Sequence, residues 1–437
     1  MSEERFPMEH AVMSRSSKTF LGILSFLLTF FIFHAPVFGE ELDLGWLIEE
    51  ALKNNHDILM VTNKAAAAEY RIMPAQSLPD PMVTFGYQNT SLSTYNYNKD
   101  DFSYWIVSAS QMIPYPGKRG LKGEMAKADA EGQKAYLEAL RLRVVSRVKE
   151  LYNDLFLAYK TIDILQDKID VFARIEGAAL ARYSTGTGPQ QEVLMAQTEK
   201  YMILERQQMF RQKIQALESM LNLTAGRAPD APLGRPKQLV STKTDFTLEE
   251  LTKKAYEASP EIRVKEKMIA ASEAKLQMAK KEFFPDVTLN MGVNQTGPDF
   301  TNMYMLTASV NLPIYFQTKQ EPAVKEATAS VSEAKHDLEA TKLMLASTLR
   351  DNYSMMTSAD KLLDLYENAL IPKSAQDYQL ALSGYSTGNI EALTVISRLK
   401  SFLDVELLYW NQFVEREKAI ARMTAIAGNG MPELKEK

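Results

Sequence analysis

Two hydrophobic periods run through this chain. Val287, Leu289, Met291 and Val293 alternate with Thr288, Asn290, Gly292 and Asn294. Tyr304, Leu306, Ala308, Val310 and Leu312 alternate with Met305, Thr307, Ser309 and Asn311. Earlier, Val83, Phe85 and Tyr87 alternate with Thr84, Gly86 and Gln88, while Trp105, Val107, Ala109 and Ile113 share a face with one polar intruder, Gln111. A period of two predicts strands with one apolar face and one mostly small, polar face. Two hairpins are expected, over residues 82–113 and 286–313, with polar loops at Asn89 to Asp101 and Gln295 to Asn302.

The second period is helical. Val148, Leu151, Leu155, Ala158, Ile162, Leu165, Ile169 and Phe172 step by three and four, as in a coiled-coil seam. No proline interrupts residues 117–182, so one helix is expected there, on the order of 100 Å long at about 1.5 Å per residue. Leu345, Leu349, Met356, Ala359, Leu363, Tyr366 and Leu370 carry a similar seam in residues 319–384. Pro372 falls inside that stretch and should kink it or interrupt its bonding. Shorter helices are expected at 188–225 and 389–428.

These elements recur in order. Tyr183-Ser184-Thr185-Gly186 returns as Tyr385-Ser386-Thr387-Gly388, and Leu223-Thr224-Ala225-Gly226 is matched by Ala425-Ile426-Ala427-Gly428. Pro79-Asp80 and Pro285-Asp286 each open a strand-like run; Leu42-Asp43-Leu44 and Phe246-Thr247-Leu248 each open a helix. Matches in the same order at nearly constant offset indicate an internal duplication. The repeats are read as residues 40–226 and 246–430, and residues 431–437 as a tail. Between the repeats, residues 227–245 hold Pro229, Pro232, Gly234 and Pro236, a linker composition.

Alternating strands also build soluble sandwiches. Here only four strands are expected, each hairpin flanked by helices. Membrane barrels start at about eight strands, and an open sheet edge in lipid leaves backbone groups unsatisfied. Strands of this pattern can line a membrane only if several chains share one barrel.

Composition narrows the choice. The 437 residues contain no cysteine, which excludes disulfides and thiolate chemistry. Two of the four histidines, His10 and His34, lie in a segment read as a signal peptide, residues 1–39: Arg15 and Lys18, an apolar run from Thr19 to Phe33, then Val37-Phe38-Gly39. His56 and His336 remain, far apart. A net charge of −5 without a dense basic patch argues against nucleic-acid binding. No glycine-rich phosphate loop is present. No catalytic, cofactor or metal site is expected; the 22 methionines mostly occupy packing positions. Charged runs such as Lys149-Glu150 and Arg416-Glu417-Lys418 read as solvated helix faces.

Local motifs then point to a family. Gln111-Met112-Ile113-Pro114-Tyr115-Pro116-Gly117-Lys118-Arg119, Ser309-Val310-Asn311-Leu312-Pro313-Ile314-Tyr315 and Gly384-Tyr385-Ser386-Thr387-Gly388 resemble, respectively, the two strand-to-helix junctions and the periplasmic tip turn of TolC-like outer membrane efflux proteins. The resemblance implies a mainly α fold with a small β part. A long antiparallel coiled-coil barrel would continue into β-barrel strands shared between the subunits of a homotrimer. It implies an outer-membrane channel of a Gram-negative bacterium with a periplasmic extension. Such a channel conducts passively from a periplasmic adaptor (membrane fusion) protein and an inner-membrane pump. Outer-membrane lipid is a further partner.

Expected lipid-facing positions are Val83, Phe85, Tyr87, Trp105, Val107, Val287, Leu289, Met291, Val293, Tyr304, Leu306 and Val310. Expected tip positions are Tyr183, Ser184, Thr185, Gly186 and Glu192, with Tyr385, Ser386, Thr387, Gly388 and Glu391. Gly186 and Gly388 also suit an ordinary helix C-cap, and the acids suit a helix N-terminus. Some family members carry acids where this chain has Thr394 and Ser397, and a base where it has Ile390, so its tip is built differently. The competing reading is a periplasmic helical-hairpin adaptor or scaffold, which would not need two amphipathic hairpins.

Overall fold

The computed structural model describes residues 41–428. The expected signal peptide and tail lie outside the described residues. The first half contains α1 (Leu44–Asn54), α2 (His56–Tyr70), α3 (Ile72–Gln76), β1 (Met82–Gln88), β2 (Tyr104–Ile113), α4 (Lys118–Ser184) and α5 (Gln190–Thr224). The second contains α6 (Leu248–Ala258), α7 (Pro260–Lys281), β3 (Val287–Gln295), β4 (Met303–Val310), α8 (Gln320–Leu365), a π turn (Tyr366–Leu370), α9 (Ile371–Ser386) and α10 (Ala392–Ala427).

The duplication is visible in caps and core alike. Asp43 caps α1 by accepting the Trp46 N–H at 2.9 Å. At the matching place Thr247 forms a capping box with Glu250 at the start of α6. Leu47 and Ala51 of α1 and Leu251 and Ala255 of α6 are all fully buried. The first pair packs with Leu151, Leu155 and Leu221, the second with Leu349, Ala419 and Met423.

α4 spans 67 residues without interruption, about 100 Å at 1.5 Å per residue. Its seam residues Val148, Leu151, Leu155, Ala158, Leu165 and Phe172 are buried. The counterpart covers residues 320–386, the same length, but in three pieces. Pro372 does not break it. Proline lacks an N–H, and its ring would crowd the preceding turn of an α-helix. The π turn absorbs this: the Ile371 N–H reaches back to the Tyr366 carbonyl, and helix continues beyond. The wider turn also re-aims the seam. Leu345, Leu349, Met356 and Ala359 are buried, whereas Leu370 is exposed, contrary to the expected register.

Residues between α5 and α6 cross the waist of the bundle. The Leu42 N–H bonds to the Arg235 carbonyl, and the Tyr152 hydroxyl donates to Leu42 and accepts from the Lys237 N–H. This crossing overturns one expectation from sequence. Arg416 and Glu417 are not solvated; they are 6% and 8% exposed. Arg416 pairs with Asp360 and Glu417 and donates to the Thr242 carbonyl, while Glu417 accepts from the Thr242 hydroxyl. Lys418 reaches Asp154, and Arg422 reaches Glu150. A charged run on α10 is buried because the linker lies over it, and partners from three segments satisfy it.

The four strands form one antiparallel sheet in the order β1-β2-β3-β4. Both connecting loops lie at the end away from the long helices. β1 and β4 are its edges.

Candidate functional site

Two regions follow from this architecture: the sheet at one end and the helical turns at the other. In the sheet, register decides which side chains share a face. Phe85 lies opposite Val107, which lies opposite Val293, which lies opposite Tyr304. Tyr87 pairs with Trp105, Met291 with Leu306, and Val287 with both Ile113 and Val310. All twelve positions expected to face lipid therefore share one side of the sheet. Most are strongly exposed in the single chain, Phe85 at 76% and Tyr304 at 84%. Tyr87, Val287 and Val293 are half-buried. The other side carries Thr84, Ser108, Ser110, Thr288, Asn290, Asn294, Thr307 and Ser309, with Ile106, Met112, Met303 and Met305 among them. A sheet apolar on one face and mostly polar on the other fits a wall between lipid and a water-filled lumen.

The junction between sheet and helices is built on an ion cluster. Lys118, at the start of α4, is buried. Its ammonium lies 3.0 Å from Asp286 and 3.3 Å from Glu282 and donates to the Phe284 carbonyl. Asp286 also accepts the Tyr115 N–H at 2.7 Å. Tyr115 stacks on Phe284 at 4.5 Å. The two halves are thus locked together where strands become helices. Burial alone would raise the Asp286 pKa, but the bonds from Tyr115 and Lys118 outweigh it and hold the pKa below 3.8.

At the far end the repeated motif makes the same turn twice. Gly186 and Gly388 have φ of 72° and 77°, a region that only glycine occupies readily. The Thr187 N–H bonds to the Arg182 carbonyl at 2.9 Å, and the Asn389 N–H bonds to the Gly384 carbonyl at 2.9 Å. These six-to-one bonds close both helix ends. Ser184, Thr185, Ser386, Thr387 and Glu391 are exposed around the turns. The two tyrosines differ: Tyr183 is 45% exposed and Tyr385 is 3% exposed.

Tyr385 is buried because the two turns meet there. Its hydroxyl donates to Glu192 at 3.4 Å, and the Arg182 guanidinium lies over its ring at 5.0 Å. Glu192 is itself buried. Arg182 has no signal in the repeat, because its counterpart is Gly384; only the contact between turns reveals it. Below the tip, Phe172, Ile175, Ala196, Tyr385, Val395, Ile396 and Leu399 form one apolar cluster drawn from both halves. Among the described residues, no group of three or more metal-ligating side chains is placed to hold an ion. No helix among them is long and apolar enough to cross a membrane.

Helices about 100 Å long, duplicated, and ending in a two-faced sheet with free edges define a conduit class of membrane protein. The chain belongs to the outer membrane efflux protein family, which it matches over residues 47–226 and 251–429. It is 21% identical over 410 residues to the cobalt-zinc-cadmium resistance protein CzcC of Cupriavidus metallidurans, covering 90% of this chain and 92% of that one. It is 22% identical over 408 residues to the pyoverdine export outer membrane protein OpmQ of Pseudomonas aeruginosa, covering 88% and 84%. The solved outer-membrane channel OprN shares the fold with a TM-score of 0.77 at 17% identity, over 91% of this chain and 95% of that one. The protein is an outer-membrane efflux channel of Gram-negative bacteria with a periplasmic extension, and not an enzyme. Channels of this family form trimers within tripartite systems.

Proposed function

We propose that three copies of this chain close one twelve-stranded barrel, with β4 of each pairing to β1 of the next. Their helices continue the pore as a periplasmic tunnel, and residues 227–245 belt its waist. The carrying observation is the sheet itself: four strands, two free edges, one face apolar except for Gln111. Val83, Phe85, Tyr87, Trp105, Val107, Val287, Leu289, Met291, Val293, Tyr304, Leu306 and Val310 meet lipid. The turns at Tyr183 to Gly186 and Tyr385 to Gly388 ring the entrance, with Glu391 its exposed acid. The Tyr385–Glu192 contact, flanked by Arg182, holds the resting tip together. The tips dock a periplasmic adaptor, and an inner-membrane pump supplies the energy. CzcC and OpmQ, named for different cargoes, are nearly equally similar to this chain, which supports selection of cargo by the pump.

The test is mass determination of the purified oligomer followed by single-channel recording in a planar bilayer. A stable trimer with discrete conductance steps is expected. A soluble monomer that never inserts would exclude the shared barrel and favour an adaptor-like scaffold.

A further inference from the structure

We infer that the long β1–β2 loop, residues 89–103, folds outward onto the membrane and docks on the headgroup layer of the outer leaflet, leaving the pore exit free of it. The inference rests on the proposed reading of the sheet as a membrane wall. A loop of this length at a barrel mouth can turn inward over the lumen or outward over the lipid. Its aromatic residues show which.

Tyr87 sits on the apolar side of the sheet, beside Trp105 at 4.9 Å. The loop returns to that same side. The Tyr95 ring stacks on Tyr87 at 5.0 Å, and Tyr97 follows at 6.2 Å from Tyr95. A lid over the lumen would instead place these rings against the opposite face, with Ser108, Asn290 and Asn294.

The outward course is held by the loop's own polar groups. The Asn89 side-chain oxygen accepts from the Tyr87 hydroxyl at 3.1 Å, the Asn96 N–H at 3.0 Å and the Ser103 hydroxyl at 3.3 Å. The Thr90 hydroxyl donates to Asp100 at 2.8 Å. Asn98, at φ 60°, clasps the second hairpin loop: its amide donates to the Asp299 carboxylate at 2.6 Å, and its oxygen accepts the Asp299 N–H at 3.1 Å.

Tyrosine and tryptophan suit a lipid–water boundary, because one end of each ring system is apolar and the other is wet. Tyr87, Tyr95, Tyr97 and Trp105 form such a group at the loop end of the apolar face. Phe85 and Val107, one rung further into the sheet, continue it toward Val293 and Tyr304, so the patch is continuous with the proposed lipid-facing surface.

The chain has no cysteine, so single cysteines can be labelled uniquely in the full-length oligomer. Fluorophores at Tyr97→Cys and, should that variant not assemble, at Ser93→Cys would be read in vesicles carrying headgroup-level nitroxide lipids. Phe85→Cys serves as the control within the wall. Quenching of the loop probe by about twofold or more is expected, with iodide in the water having less effect. Single-channel conductance of Tyr95→Ala/Tyr97→Ala should match that of the parent. Quenching at Phe85 without quenching in the loop would overturn this inference and leave the channel reading intact. No quenching at either place would overturn both. A several-fold rise in the double variant's conductance would identify the loop as a lid and also overturn it.

Discussion

Tyr183 and Tyr385 occupy equivalent places in a repeated motif, yet one faces water and the other joins the two turns. The difference comes from neighbours. Arg182 covers the Tyr385 ring, and Glu192 accepts its hydroxyl. Tyr385→Phe would leave the buried Glu192 carboxylate without that donor, at about 1–3 kcal/mol. If the contact holds the tip shut, open probability in single-channel recordings should rise in Tyr385→Phe and stay unchanged in Tyr183→Phe. Burial first, and then the Glu192 charge, raise the Tyr385 pKa above 10.0. The folded tip therefore keeps this proton at pH values where the unfolded chain has lost it. Its contribution is fully present below pH 10 and is lost as pH rises through the raised value. A melting temperature flat from neutrality to about pH 9 and falling beyond pH 10 is the expected profile in this group's window. At the other end, Lys118→Met would leave Asp286 facing a buried apolar stem. A loss of about 3 kcal/mol is expected in denaturant titration, the low end for a buried pair because Glu282 is half exposed. The depressed Asp286 pKa adds a sign: its contribution exists above pH 3.8 and disappears as pH falls below that value.

Helix-scale behaviour turns on the contrast between α4 and its counterpart. Both cover 67 residues, but only the second carries a proline and a π turn. Pro372→Ala would restore an N–H and remove the ring clash, allowing the turn to tighten toward α geometry. Amide exchange over residues 366–372 should slow, with a change in melting temperature of only a few degrees, because the flanking helices are already formed. Unchanged exchange there would mean that tertiary contacts, and not proline, keep the π turn. The seam was legible in sequence up to Leu363, because a heptad needs only regular spacing. Beyond it the register shifted, and no spacing rule foresees a π turn that rotates the face.

On the scale of the whole molecule, the decisive property is that the sheet cannot be complete in one chain. Leu306 lies across from Met291 on the apolar face. Leu306→Arg should impair membrane assembly at about 2–4 kcal/mol, the range for a cation near a bilayer midplane. Thr307→Asp, an exposed position on the opposite face, should assemble normally and increase cation preference in reversal-potential measurements. Equal tolerance of both changes would contradict a lipid-facing and a lumen-facing side.

The amino-acid sequence by itself determined the duplication, the long helices, the four strands and the sidedness of each strand. All of these depend on local periodicity and on repeated turn chemistry. Tertiary structure alone decided how the strands register into one sheet, and that Arg416 and Glu417 are buried. It also decided that Arg182, Glu192 and Tyr385 meet. Each depends on residues far apart in the chain, 193 positions in the case of Glu192 and Tyr385. Periodicity carries no information about which distant side chain will cover a charge or supply its partner.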